Sequence, residues 1–512
     1  MATEVQHTAL TLHDQLPILQ VVIPLLAAPL CVLIGQRHAA WWIAFVASAL
    51  SFIIACMLLA QVSDGSYISY AIGGWAPPLG IEYRVDALNA FMLLLVSGIA
   101  TLVLPFASAS IGQEVPEKSH TLLYACFLLC LTGLLGVLIT GDAFNVFVFL
   151  EISSLSTYVL VAQGAYKDKR ALTAAYDYLI MGTIGATFFV IGLGFLYMAT
   201  GTLNMADIAA RIADQGDSRT VRAAFAFILV GMGLKVAIYP LHHWLPNAYT
   251  FAPSAITAFL AATATKVAIY VWLRFMFDVF RPEYLFDVYT LQFIILPFGL
   301  VAMFAASLVA IFQRDFKRML AYSSIAQIGY MLLGIGLISA TGLTATIAHL
   351  FNHGITKAAL FMGVGALVFY SGSSFYDRIE GRGRTMPWTG AAIVIGGLSL
   401  IGVPGTAGFV SKWVLVQAAF EKGWWPIAAL IVASSLLAVV YVWRVIETLY
   451  LAEPATGAAR REAPLPMLIP LWIAALSCIY FGFDGTFAVE TARTAADSLL
   501  NGAAPLPLLE GN

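Results

Sequence analysis

The chain has 512 residues, of which 61% are hydrophobic and only 11% charged, with 26 Lys plus Arg against 28 Asp plus Glu. Soluble domains carry about 25% charged residues, so this composition excludes an ordinary soluble enzyme and a disordered chain. The near-zero net charge of −2 excludes a nucleic-acid binder that works through a basic face.

The first fifteen residues carry Glu4 and Asp14 and no Lys or Arg. They lack the positive start of a secretory signal, so the first apolar run is expected to remain as an anchor. A membrane-crossing helix needs about 20 mostly apolar residues. Fourteen such runs lie near 17–35, 40–61, 86–107, 120–139, 142–163, 172–199, 222–245, 254–277, 290–312, 319–339, 343–370, 388–420, 426–451 and 466–482. The seventh is interrupted by Pro240 and Pro246, and the twelfth by Gly402, Pro404, Gly405 and Gly408. Proline removes a backbone donor and glycine loosens a helix, so both spans are expected to break at membrane depth.

The loops after odd-numbered spans hold thirteen Lys or Arg: Arg37, Lys118, Lys167, Lys169, Arg170, Arg314, Lys317, Arg318, Arg378, Arg382, Arg384, Arg460 and Arg461. Loops after even-numbered spans hold six: Arg84, Arg211, Arg219, Arg222, Arg281 and Lys422. This bias places the first set in the cytoplasm. Both termini are then expected outside, with a short external tail from Asp484.

The two broken spans are five apart. Corresponding interruptions in two halves point to inverted repeats, although glycine and proline are common enough in membrane helices for two breaks to coincide by chance. The pentapeptide KVAIY recurs at 235–239 and 266–270. Both copies fall in neighbouring spans of one half, which reads as coincidence. The expected organisation is 1–119 for three leading helices and 120–278 and 279–451 for the repeats. Residues 452–512 hold the last span and the tail.

A few charges remain at membrane depth: Glu151, Lys235, Lys266, Lys357 and Lys412. Each costs about 2.5–3.5 kcal/mol at the bilayer centre, so five cost roughly 12–18 kcal/mol. Buried ion pairs, or lysines reaching the headgroups, are the plain structural explanation. Lys266 resists it: about a dozen residues, near 18 Å of helix, separate it from either end. Glu151 and Lys235 are expected to pair, whereas Lys266 has no evident carboxylate, and an uncompensated amine exchanges its proton readily. His349, His353 and Lys357 recur at i, i+4 and i+8 and share one helix stripe. Such histidines fit a proton relay, a packed core or a metal pair, but no third ligand is adjacent. Cys126 and Cys130, one turn apart, read as packing residues. Asp177, His242 and His243 are candidate access points nearer helix ends. Arg444 and Glu447 are spaced to pair. Together the carboxylate, amines and imidazoles form a polar line along which protons could move.

The stretches GDAFNVFVFLEISSLSTYVL, GLKVAIYPLHHWLPNAYTFAPSAITAFLAATATKVAIY, RDFKRMLAYSSIAQIGYMLLGIG, HLFNHGITKAALFMGVGAL and LSLIGVPGTAGFVSKWVL resemble the antiporter-like subunits shared by respiratory complex I and Mrp-type cation/proton antiporters. The resemblance spans roughly residues 85–450, and GVPGTAGFVSKW is most similar to the D-type component of the Mrp systems. It implies an all-α membrane fold of about fourteen helices, with two inverted five-helix repeats and broken helices seven and twelve. It implies that Glu151 and Lys235 form an ion pair and that Lys266 is a central relay lysine. His349 and His353 would connect it to Lys412, the terminal lysine. The implied function is a proton-translocating subunit of a multi-subunit Na+/H+ antiporter in the plasma membrane, working with other membrane subunits. A redox-driven complex I or hydrogenase type subunit is the alternative, and a stand-alone solute transporter a third. Neither cofactor nor metal is expected: the sequence holds no iron–sulfur cysteine cluster, dinucleotide fingerprint or haem motif.

Overall fold

A computed structural model describes residues 12–215, 218–281, 288–453 and 461–501. The N-terminal residues Met1 to Thr11, with Glu4, and the counted loop residue Arg460 lie outside them. The chain enters through α1 (Leu16–Ile34) and α2 (Arg37–Gln61) and turns through a hairpin of β1 (Ile68–Ala71) and β2 (Glu82–Val85). The strands are antiparallel, with Ile68 opposite Val85 and Ala71 opposite Glu82. Then come α3 (Ala87–Glu114), α4 (His120–Ile139), α5 (Ala143–Ala162), α6 (Arg170–Thr200) and the short α7 (Met205–Gln215). The seventh span is split into α8 (Arg219–Val236) and α9 (Trp244–Phe251), followed by α10 (Ser254–Leu273), α11 (Val288–Ile311), α12 (Phe316–Gly336) and α13 (Ala340–Ser371). The twelfth is split into α14 (Pro387–Ile401) and α15 (Ala407–Glu421), and α16 (Trp425–Ile446), α17 (Leu465–Phe483) and α18 (Thr486–Asn501) complete the chain.

Among the described residues, twelve helices are long and apolar enough to cross a membrane. The two split spans fill the seventh and twelfth positions, so each expected run has its counterpart. Lateral position follows burial. In the most apolar stretch of α10 and of α12, 94% of residues are covered by protein, against 33% in α16 and α17. Outer helices present large apolar side chains such as Leu33, Phe293, Phe312 and Phe483, as a surface facing lipid tails or other apolar helices must. Long α13 is the hub, packing on α3, α10, α12, α14, α15, α17 and α18.

Both breaks have the same backbone chemistry. At the end of α8, Ala237 turns left-handed at φ 62°, and Ile238 N–H donates to the Gly233 carbonyl at 3.0 Å. At the end of α14, Gly402 does so at φ 89°, and Val403 N–H donates to Leu398 at 3.1 Å. This is the left-handed stop that satisfies the last carbonyls of a helix. Glycine adopts it freely, whereas alanine holds it at a cost of about 1–2 kcal/mol.

A second shared device marks the repeats. Asp142 caps α5 through Asn145 N–H (2.7 Å), and Asp315 caps α12 through Arg318 N–H (2.9 Å). Beside each cap a backbone clasp ties the helix start to the chain that follows the repeat's third helix. Ala143 N–H donates to Leu203 and Met205 N–H to Gly141, at 2.8 and 2.9 Å. In the second repeat Phe316 N–H donates to Ser374 and Tyr376 N–H to Arg314, at 2.9 and 3.1 Å. α5 and α12 are the fifth and tenth spans, an odd step of five, so equal structures face opposite sides of the bilayer.

The expected tail is more than a tail. α18 is amphipathic and buries Ala488, Ala492, Ala495, Ala496 and Leu499 on α3 and α13. Its Phe487 joins Phe91, Phe351 and Phe481 in one aromatic cluster. Arg444 likewise departs from expectation. Its guanidinium donates to the carbonyls of Ile311 (2.8 Å) and Gln313 (3.0 Å) and lies 4.9 Å over the Tyr376 ring, with no Glu447 ion pair among the described residues. The carbonyls at the end of α11 lack helical partners and offer a strong site for a cation.

Candidate functional site

Lys235 sits in the last turn of α8, just before the break, where the helix's negative end favours a cation. Its ammonium lies 3.2 Å from Glu151 Oε1 and donates to Ser154 Oγ at 2.7 Å. Glu151 and Ser154 are i and i+3 on α5 and share a face. The lysine side chain is 7% exposed and the carboxylate 24%, so the structure pairs them as the sequence reading expects.

Lys266 is fully buried midway along α10. Its ammonium donates to the Ala261 carbonyl and reaches Thr265 Oγ1 at 3.5 Å. No carboxylate pairs with it among the described residues. Lys357, also fully buried, donates to the Leu320 carbonyl at 2.7 Å and Ser323 Oγ at 2.6 Å on α12.

Lys412 uses the second break directly. Its ammonium donates to the carbonyls of Leu400 (3.1 Å) and Ile401 (2.9 Å), which α14 leaves open where it stops. It also reaches Ser435 Oγ at 3.4 Å and sits 4.6 Å over the Tyr330 ring. A charge otherwise costly in the membrane is held by helix-end carbonyls and a ring face.

The two histidines occupy the space between. The His349 ring is hydrogen-bonded on both sides, Nδ1 to Ser411 Oγ at 2.8 Å and Nε2 to Gln327 Oε1 at 2.9 Å. His353 stacks parallel on it, centroids 5.6 Å apart, and neither of its ring nitrogens has a hydrogen-bond partner among the described residues. Buried polar atoms are rarely left unpaired, and an open imidazole can take a proton on one nitrogen and release it from the other. Lys357 stands one turn beyond His353 on α13, Lys266 lies on α10, which packs against that helix, and Lys412 follows Ser411, the partner of His349. The structure therefore brings five of the seven candidate side chains together, with four of them around the His353 imidazole. Glu151 and Lys235 stand apart: α8 packs on α10, but no direct hydrogen bond links Lys235 with Lys266 among the described residues.

The connecting groups escaped the sequence reading. Ser154, Ser323, Gln327, Ser411, Tyr330 and Ser435 are neutral, and hydropathy passes over them. The spacing of Ser323 and Gln327 at i and i+4 in AYSSIAQ was the available signal. Lys317, a loop charge by its place in the sequence, lies in the first turn of α12 and is 4% exposed. Among the described residues no hydrogen bond ties the access candidates to this cluster: Asp177 is half-buried, His243 is exposed, and His242 stacks on Tyr239 at 4.8 Å and meets Tyr322 edge-on at 6.2 Å. Cys130 Sγ contacts Thr157 Oγ1 at 3.3 Å, and no group of three metal-ligating side chains occurs among the described residues. In the loop before α6, hydrogen bonds from Arg170 hold the Asp168 carboxyl below the usual carboxylate range.

Broken helices facing a buried line of amines and imidazoles define the class of antiporter-like membrane subunits. The chain belongs to the NADH:quinone oxidoreductase/Mrp antiporter transmembrane family, whose sequence profile matches residues 140–438. It is 38% identical to the N-type subunit of the NADH-quinone oxidoreductase of Desulforudis audaxviator, covering 91% of this chain and 95% of the relative. It is 30% identical to the D-type subunit of the Na(+)/H(+) antiporter of Bacillus subtilis, covering 94% and 97%. A chain of the Mrp complex from Dietzia superposes with a TM-score of 0.87 at 27% identity, over 96% of this chain and 98% of that one. A chain of the archaeal membrane-bound sulfane sulfur reductase superposes with a TM-score of 0.85 at 31% identity, over 95% and 98%.

Proposed function

We propose that this chain is the proton-translocating subunit of a multi-subunit monovalent cation/proton antiporter. It works as a transporter subunit beside other membrane subunits. The observation that carries the reading is the cluster of Lys266, Lys357, His349 and Lys412 around the open imidazole of His353. Protons pass from the Glu151–Lys235 pair to Lys266, through His353 and His349, and on to Lys412, within the repeats taken as 120–278 and 279–451. Neutralising one site changes the field at its neighbours, which is how a proton at one end is felt at the other. The subunit resides in the plasma membrane with the positive loops in the cytoplasm and both termini outside. Similarity to the Bacillus subtilis Na(+)/H(+) antiporter component makes Na+ the cation of choice.

Everted vesicles carrying the assembled complex test this. Lys266→Ala, confirmed to assemble, is expected to abolish the pH change that follows added Na+. Normal transport by that variant would overturn the relay.

A second reading rests on the 38% identity to a quinone oxidoreductase component: the same line of residues driven by redox partner subunits. Adding Na+ without an electron donor separates the two. A pH change under those conditions supports the antiporter, and one that appears only with a donor supports the redox-driven complex.

A further inference from the structure

A cavity of about 180 Å³ opens on the side of the loops that follow odd-numbered spans. Its mouth carries Lys167, Asp168 and Arg170 from the loop before α6, and its lining includes Glu114, Asp315 and Lys317. Exposure falls along it, from the exposed Lys167 through the half-buried Glu114 to Lys317, which is 4% exposed. The Lys317 ammonium donates to the Ala252 carbonyl at 3.2 Å, between α9 and α10. Glu114 fixes the start of α10 from the other side: Oε2 accepts Ser254 N–H and Oε1 accepts Ser110 Oγ–H, each at 3.0 Å. Glu114, Lys167, Asp168, Arg170 and Asp315 are the charged groups that line the cavity with Lys317.

α12 joins this cavity to the buried line. Leu320, one turn inward from Lys317, gives its carbonyl to Lys357, and Ser323 gives its hydroxyl to the same ammonium. Three residues of helix rise about 4.5 Å, so Lys317 and the groups that hold Lys357 form a short ladder on one helix. A buried lysine at the floor of a charged cavity, one turn from another buried lysine, is poorly explained by packing alone. A leucine or methionine would fill the same volume without the desolvation of an ammonium.

We propose that this cavity is the loop-side inlet for protons, with Lys317 exchanging them between the cavity and Lys357. In the step, the Lys317 ammonium passes one proton inward to the neutral Lys357 amine and is reprotonated from water in the cavity. Glu114 offsets the charge that Lys317 carries while loaded. The inference rests on the proton-path reading above and adds the point at which the path meets bulk water.

The test uses the assembled complex in everted vesicles and compares Lys317→Arg with Lys317→His. Arginine keeps the positive charge and the donor to Ala252 but cannot release its proton. Histidine titrates near neutral pH and can exchange one. Proton exchange predicts that Lys317→Arg assembles but loses at least tenfold in rate. Lys317→His then keeps more activity than Arg, with its optimum moved to lower pH. The opposite order, with Arg near wild type, overturns the proposal and leaves Lys317 a structural charge. Should both variants fail to assemble, Glu114→Gln decides. It keeps an acceptor for Ser254 N–H while removing the counter-charge, so the pH profile of transport should move to lower pH, and an unmoved profile overturns the inlet. Lys266→Ala runs alongside. If it is silent while Lys317→Arg behaves as wild type, the inlet alone fails; if it transports normally, the path itself fails.

Discussion

The two broken helices stop in the same way but hold their lysines by opposite means. Lys235 stands before its break, on α8, and answers a carboxylate, Glu151. Lys412 stands after its break, on α15, and reaches back to the carbonyls of Leu400 and Ile401 that the break leaves open. Removing the charge of Lys235 strands an anion, whereas removing that of Lys412 leaves only dipoles without a donor. The first half is built around a fixed pair of charges, and the second around a cation that neutral groups accommodate.

The difference continues along the neighbouring helices. In the first half Lys266 and Tyr270 on α10 lead, at i, i+4 and i+8, to Arg274 in the wider helical turn that continues it. Arg274 is locked by Asp278 (2.6 Å) and Asp86, and Tyr270 Oη donates to the Leu138 carbonyl at 2.8 Å. That stripe ends in a buried ionic latch. In the second half the stripe of buried amines and imidazoles lies on α13, the third helix of its repeat rather than the fifth, where it runs through His349, His353 and Lys357 and contains no carboxylate.

Three experiments would sharpen or break this contrast. The largest stability effect is expected from Glu151→Ala, which leaves the Lys235 ammonium buried without its partner. Losing one member of a buried pair costs about 3–5 kcal/mol, so the level of assembled protein and its melting temperature should fall. The double variant Glu151→Ala with Lys235→Ala should regain part of that loss, and a double mutant no more stable than Glu151→Ala alone would argue against the pair. A smaller loss is expected from Lys412→Met, because neutral carbonyls left without a donor cost about 1–3 kcal/mol. Its melting temperature should fall less than that of Glu151→Ala, and an equal or greater fall would erase the difference between the halves. The smallest effect concerns the breaks themselves. Ala237→Gly should gain about 1 kcal/mol by relieving the left-handed alanine. Gly402→Ala should lose at least as much, since its new methyl would press on Lys412 Cδ. Equal shifts of one sign in thermal unfolding would show that the two stops are not alike.

Much of the architecture was legible because the membrane makes polarity expensive. Fourteen apolar runs, two interruptions and five deep charges each stand out against a hydrocarbon background, and the pairing of Glu151 with Lys235 followed from having one acid and a nearby base. What stayed hidden depends on contacts between distant segments. Ser411 and Gln327 hold His349, and Leu400 holds Lys412, but hydropathy treats them as ordinary spacer residues. Lys317 was hidden by its neighbours, since RDFKR reads as a solvated loop although α12 begins at Phe316 and carries the lysine inward. α18 was hidden by its composition: its alanines bury one face without making an apolar run long enough to register.

That last helix has a consequence for how the molecule is put together. The stacked rings of Phe91 and Phe351, 4.6 Å apart, come from the third and eleventh spans, and Phe487 seats on both from beyond the fourteenth. A chain lacking α18 would leave that aromatic seat bare on the helix that bears both histidines. The packing of the central helix is thus finished by a segment that lies beyond the last membrane span.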